Sequence, residues 1–306
     1  MMKVCFIKTG RAFIPELTAY VEYLQQNNIK SVVCDNEDQA REVDATLYYR
    51  FGGFLNKEVK KGIPEIHEYH SISTGKYPRI KNIIKSIFSV KPIGYSFLNK
   101  KVEKAFLFRK NIPIIYRDMG ADDLFLNVRY SNIKEKKYDI AYVGSVSLRE
   151  GLVNTLLMLA KQGYKLAIIG NVNPIDTEKL KKFDNVDLFG VCDKTKIVTI
   201  LALSKYGLNF MPNEYPLNIQ TSTKVIEYLV AGIPIISNKY EWIDSHSNRN
   251  GYNYIDLYSL FEYSKDLWHK DKLVLDTNDV RKFLWDSILD KSGFLDFVCR
   301  ISKNEN

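Results

Sequence analysis

The chain has 306 residues, of which 45% are hydrophobic and 26% charged, and a formal net charge of +8. That length is enough for two domains with cores of their own, and the composition excludes disorder beyond the final SKNEN. No apolar run approaches the roughly 18–20 residues that cross a bilayer. Four scattered cysteines, with no CxxC pair and no zinc-type histidine spacing, read as reduced thiols.

The start, MMKVCFIKTG, is too short in its apolar core for a signal peptide and reads as a strand, Lys3 to Ile7, so the protein is expected in the cytosol. A helix follows from Glu16 to Gln26, then short apolar runs at Ser31 to Cys34 and Thr46 to Phe51. Gly10-Arg11 and Gly52-Gly53 follow such runs, where glycine permits close backbone approach to a ligand. Next comes Glu65-Ile66-His67-Glu68-Tyr69-His70-Ser71, a cluster with the residue types of a general base, namely His67, Glu68 and His70. It lacks the HExxH spacing of a zinc protease, and the alternative is a pair of structural histidines.

Ile80 to Ser89 and Asn99 to Phe108 are expected as helices around the Lys91-Pro92 turn. Between Lys76 and Lys110 stand ten basic residues against one acid, Glu103, while the rest of the chain is nearly neutral. Phe88, Tyr95, Phe97, Phe106 and Phe108 are interleaved with those charges. The mixture suits an anionic membrane surface, with headgroups paired to lysines and apolar side chains in the interface. Single-stranded nucleic acid is a disfavoured alternative, and a solvated helix pair with its aromatics in the core is the structural one. After Ile112 to Tyr116 the pattern lapses, so residues 1–118 are expected as a first domain and 119–137 as a linker. Asp122-Asp123 is not a DxD metal motif and is read as a local cap.

The second half alternates more plainly. Strands are expected at Asp139 to Val143, Lys165 to Ile169, Val186 to Phe189 and Leu208 to Met211, with helices at Leu152 to Lys161, Thr177 to Phe183 and Lys194 to Ser204. Such alternation builds a parallel Rossmann-like sheet over 138–275. Residues 208–238, LNFMPNEYPLNIQTSTKVIEYLVAGIPIISN, form a strand, a polar loop, a helix and a strand, and the loop of such a unit lies at the ligand-binding edge of the sheet. Thr221, Ser222 or Thr223 can open that helix, and Gly232 before Pro234 closes it. Val225, Ile226, Leu229 and Val230 form its apolar stripe, leaving Lys224 and Glu227 together on another face. A helix amino end with a lysine in its first turn favours a phosphate, and Glu227 is placed to accept from ribose hydroxyls. An i, i+3 surface ion pair is the alternative.

The string STKVIEYLVAGIPIIS resembles the donor-binding signature of GT-B glycosyltransferases, in particular those similar to glycosyltransferase family 4. The resemblance implies an α/β chain of two Rossmann-like domains facing each other across a cleft, with residues 276–306 crossing back as helices onto the first. It gives Glu227 the donor ribose and Lys224 the diphosphate. The turn Gly144 to Gly151 occupies the place of the family's glycine-and-cation turn, with Gly144, Ser145 and Arg149 at the phosphates, although Ser145 and Glu150 stand where basic residues are usual. It also places the nucleobase near Gly170-Asn171 and Gly190-Val191, so Val191 joins the donor site. His67-Glu68 resembles the acceptor-side base pair, and Gly10 and Arg11 would line the cleft. One departure is Ile219, where the family's first of two glutamates stands; Asn218, Gln220 and Thr221 are possible substitutes.

The implied activity is hexosyl transfer from a nucleotide-sugar to a lipid-linked or surface-polysaccharide acceptor at the inner face of the membrane, as in lipopolysaccharide assembly. Neither a cofactor nor a metal is expected. A non-catalytic GT-B partner of another transferase and a GT-B-like sugar-nucleotide epimerase are the alternatives.

Overall fold

In the computed structural model, which describes residues 2–8, 14–108, 111–147, 149–262 and 277–303, the strands form two parallel sheets of six. The chain divides into two units, one spanning Met1–Gly120 with Trp285–Asn306 and the other Ala121–Leu284.

The first unit holds β1 (Lys3–Ile7), β2 (Lys30–Cys34), β3 (Leu47–Phe51), β4 (Glu65–Tyr69), β5 (Gly94–Phe97) and β6 (Ile114–Tyr116). Their order is β2-β1-β3-β4-β5-β6, and every pair is parallel. The helix Glu16–Gln26 lies over the sheet, with Tyr20 fully buried between Phe6, Tyr49 and Phe51. The helices Trp285–Ser292 and Phe294–Ser302 complete this unit. They break at Gly293, where φ is +69°, and Phe294 packs on Tyr20 with ring centroids 4.6 Å apart.

The run Glu65–Tyr69 is a buried strand, although it carries Glu65, His67 and Glu68. One reading of this half is corrected. The expected helix at Asn99 to Phe108 is only one turn, Lys100–Glu103, capped by Asn99. Phe106 and Phe108 leave it to pack on Tyr69, and Phe108 stacks on Tyr95, in ring contacts that are favourable beyond the area they bury. Of the aromatics expected at a membrane interface, Tyr95, Phe97 and Phe106 are therefore buried in the core.

The second unit holds β7 (Tyr138–Val143), β8 (Leu166–Ile169), β9 (Val186–Gly190), β10 (Ser204–Asn209), β11 (Ile235–Ser237) and β12 (Ile255–Asp256), in the order β12-β11-β10-β7-β8-β9. The strand expected at Leu208 to Met211 therefore lies earlier, since Ser204 to Tyr206 already pair with β7. Apolar layers cover both faces of the sheet. One contains Val225, Ile226 and Leu229 from the helix Thr223–Ala231, and the other Leu152, Leu156 and Leu159 from the helix Leu152–Lys161.

Most of the stretch expected as a linker belongs to this unit. Phe125 and Val128 are buried in the core beside Val225 and Leu229. Arg129 donates from Nε to the Val230 carbonyl at 3.0 Å and from Nη2 to that of Leu229 at 2.6 Å. A guanidinium at a helix carboxyl end satisfies carbonyls that have no partner within the helix and complements the dipole. Arg129→Ala is expected to lower stability by about 1–2 kcal/mol, read from urea denaturation midpoints.

Candidate functional site

Four segments of the second unit meet at the carboxyl ends of β7 and β10, the point where the strand order reverses. Ligands bind at such switch points in parallel sheets. A cavity of about 270 Å³ opens there, lined by Ser145, Arg149, Met211, Leu217, Gln220, Thr221, Ser222, Thr223 and Lys224.

The sequence builds this site through a buried polar network. Asn209, at the end of β10, donates to Ser237 Oγ at 2.9 Å and to the Tyr240 hydroxyl at 3.0 Å. Its Oδ1 accepts from Ser222 Oγ at 2.8 Å. Ser222 is the residue before the helix Thr223–Ala231, and because its hydroxyl is held by Asn209 it does not cap that helix. The first amides of the helix therefore receive no cap from the Ser222 side chain at the cavity. Asn238 fixes the opposite wall by accepting from the Met211 amide at 3.0 Å and donating to its carbonyl at 2.7 Å. Arg149 reaches that wall, donating to the Phe210 carbonyl at 3.3 Å and approaching Met211 Sδ at 2.7 Å.

Lys224 stands in the first turn of the helix with its Nζ 5.5 Å from the Tyr142 ring centroid. Gly144 makes room for it, since a Cβ there would lie 3.1 Å from Lys224 Cε. Burial, with the charge of Arg149 added, pushes the Lys224 ammonium down to about 7, while Glu227 opposes the shift. Burial pushes the Glu227 carboxyl up to about 7 against the charges of Lys224 and Lys194. Lys194 itself pairs with Asp122 at 2.5 Å, and Asp122 also caps its own turn by accepting from the Leu124 amide at 3.0 Å. Lys194 and Asp122 are the charged neighbours that the sequence did not reveal. They are 72 residues apart, and no local pattern joins them.

Gln220 and Thr221 line the cavity, whereas Asn218 and Glu214 belong to the preceding turn, where the Asn218 amide donates to the Glu214 carbonyl at 2.9 Å. Ile219 closes the short 3-10 helix Leu217–Ile219. Glu150 is not among the cavity residues.

In the first unit the three candidate bases separate. Strand alternation sends His67 and Glu68 to opposite faces of β4, and both are fully buried. His67 Nε2 donates to Glu65 at 2.9 Å, and Arg50 Nη1 donates to the same oxygen at 2.8 Å. Burial holds the His67 imidazole below its usual range despite Glu65. Glu68 accepts from Tyr20 at 2.8 Å, from Tyr49, from Ser96 at 3.3 Å and from Arg117. Burial alone would raise its carboxyl, but Arg117 and the tyrosine hydrogen bond hold it below the carboxylate range. With its acceptors engaged and no exposed surface, Glu68 is a structural anion, and the same sealing removes His67 from reach of a substrate.

His70, one residue past the end of β4, is the accessible member, its side chain 29% exposed with Nδ1 3.6 Å from Glu16. Glu16, Glu68 and His70 bring ligand atoms within 4.8 Å of one another. Arg117 already occupies that space with its charge, donating to Glu16 at 2.8 Å and to Glu68. Gly10 and Arg11 lie outside the described residues.

No protein-family model and no curated protein matches the sequence. Solved structures do match in fold over nearly the whole chain. AviGT4, a glycosyltransferase involved in avilamycin A biosynthesis, superposes with a TM-score of 0.68 at 13% identity, covering 99% of both chains. HepE of Anabaena, in complex with UDP, gives 0.58 at 12% identity over 97% of this chain and all of that one. The UDP-GlcNAc 2-epimerase of Methanocaldococcus jannaschii gives 0.53 at 12% identity over the same shares.

The chain has the GT-B fold.

Within this GT-B chain the cavity sits in the carboxyl-side Rossmann-like domain. Its backbone is drawn tight beside the cavity, for a Cβ on Gly170 would lie 2.2 Å from the Gly144 carbonyl oxygen, and Gly170 adopts φ +136°. Val191, expected against a nucleobase, is 83% exposed at the end of β9 and does not line the cavity. Among the described residues no helix is long and apolar enough to cross a membrane.

Proposed function

We propose that the protein is a glycosyltransferase. It takes a hexosyl group from a nucleotide-sugar and gives it to a lipid-linked or surface-polysaccharide acceptor at the cytoplasmic membrane face, where residues 76–110 meet the anionic lipid. One observation carries the reading: Lys224, Arg149 and the uncapped helix amino end share a single cavity at the switch point of the sheet. Two cations and a helix dipole supply what a departing diphosphate needs, so the reaction runs without a metal ion or cofactor. Glu227 holds the donor ribose. His70, with Glu16 behind it, serves as the base toward the acceptor hydroxyl. The complex of HepE with UDP shows a protein of this fold holding such a nucleotide.

The charge states of Lys224 and Glu227 give the donor site a pH signature. Donor binding requires the ammonium of Lys224, lost as pH rises through about 7, and the carboxylate of Glu227, lost as pH falls through about 7. Affinity for a nucleotide-sugar is therefore expected to peak near neutrality and to fall about tenfold or more two units to either side. Lys224→Ala should remove the alkaline limb and Glu227→Gln the acid limb, as measured by calorimetric titration.

The reading itself is tested by a thermal-shift screen against UDP, GDP, ADP and CMP. Stabilisation by one diphosphate, absent in Lys224→Ala, supports a donor site and names its base. No shift with any of the four would point instead to a GT-B protein that binds another transferase.

A further inference from the structure

The helix Pro78–Phe88 has its amphipathic faces reversed. Ile80, Ile83, Ile84, Ile87 and Phe88 recur at the spacing of one helical face, and all five are exposed, Ile87 and Phe88 at 62% and 63%. The face toward the protein is polar. Asn82, fully buried, accepts from the Ser73 amide at 3.2 Å, and Ser86 Oγ accepts from the Leu107 amide at 2.8 Å. Hydrogen bonds hold the helix against its unit, with the isoleucine ridge facing outward. A helix on the surface of a soluble domain turns its apolar stripe the other way, and a contiguous exposed apolar patch marks an interaction surface. Tyr77, just before the helix, and Leu107 are exposed as well, at 72% and 65%.

We propose that this ridge inserts into an anionic lipid surface, with the helix lying in the plane of the interface. Charge complementarity selects the occupant. The helix contains Arg79, Lys81 and Lys85 and no acid, Lys76 and Lys91 flank it, and the segment from Lys76 to Lys110 has ten basic residues against one acid. A second copy would bring two such basic segments together, whereas anionic headgroups neutralise one. Eleven residues at 1.5 Å rise make about 16 Å, too short to span a bilayer and suited to lying within its headgroup boundary. The ridge contacts the acyl boundary, and Arg79, Lys81 and Lys76 meet the headgroups. The inference rests on the membrane part of the reading above, and the donor part stands or falls separately.

The test is co-sedimentation of the full chain with vesicles of phosphatidylcholine alone or with 30% phosphatidylglycerol, a composition of about that order being sufficient for a negative surface potential. The expected result is binding to the anionic vesicles only, weakened by salt. Ile87→Ser with Phe88→Ser should reduce it about tenfold or more, and Lys76→Glu with Lys91→Glu likewise. These positions are exposed, so the melting temperature and the nucleotide-induced shift should be unchanged in both variants, which separates failure here from failure of the donor site. Equal binding to neutral vesicles, undiminished binding by the serine variant, or a dimer in solution that the serine variant abolishes would each overturn the proposal.

Discussion

Glu68→Ala is expected to cost about 3–5 kcal/mol of folding stability, while His70→Ala leaves the fold intact and lowers sugar transfer by about 10²–10⁴. The difference follows from what each side chain touches. Removing the Glu68 carboxylate leaves Arg117 buried with Glu16 as its remaining carboxylate, and deprives the hydroxyls of Tyr20 and Tyr49 of their acceptor. Because Arg117 holds the Glu68 carboxyl below its unfolded range, that stability is present above the ordinary carboxylate range and is lost as pH falls through the folded value. His70 is partly exposed at the end of β4, and its ring has the Glu16 carboxylate nearby rather than a core to fill. Urea denaturation and initial rates of the two variants check both halves. A stable Glu68→Ala protein that binds nucleotide but transfers no sugar would return the catalytic role to Glu68.

The second large effect is expected at the cavity of the second unit, which Lys224 lines and beside which Glu227 stands one helical turn further on, outside the lining. Lys224→Ala and Glu227→Ala are each expected to weaken nucleoside diphosphate binding by about 1.5–3 kcal/mol, roughly 10- to 150-fold in Kd, the range of a hydrogen bond to a charged group. Neither should destabilise the empty protein by more than about 1 kcal/mol, and Lys224→Ala is expected to be neutral or stabilising: burial holds that ammonium at about 7, so the folded protein carries it at a cost. Unchanged affinity in Glu227→Ala would remove its ribose role. Paired denaturation and titration curves separate the two contributions.

Much of the second unit was legible in the sequence. The helix Leu152–Lys161 and the helix Thr223–Ala231 with its Gly232 ending stand where the 3.6-residue period and the turn chemistry place them. The place of Lys224 in the first turn of a helix at the cavity was legible because that helix follows a strand and a polar loop. That Ser222 does not cap this helix was not, since the bond to Asn209 joins residues on different elements. The first unit hid more. Glu65–Tyr69 has the polarity of an exposed loop, and its carboxylates are tolerable in a core through distant partners, chiefly Arg50, 15 residues from Glu65, and Arg117, 49 residues from Glu68. A cluster of ionisable residues thus read as chemistry where it is largely architecture. The basic segment was legible as charge, but its outward isoleucine ridge depends on the inward bonds of Asn82 and Ser86.

The most direct measurement is a crystal structure of the protein with the nucleoside diphosphate that gives the largest thermal shift. Its β-phosphate is expected at the amides of Thr223 and Lys224 and within hydrogen-bond distance of Lys224 Nζ, with Arg149 turned toward it and the ribose hydroxyls on Glu227. A nucleotide bound away from this helix end, touching neither Lys224 nor Glu227, would contradict the donor-site reading.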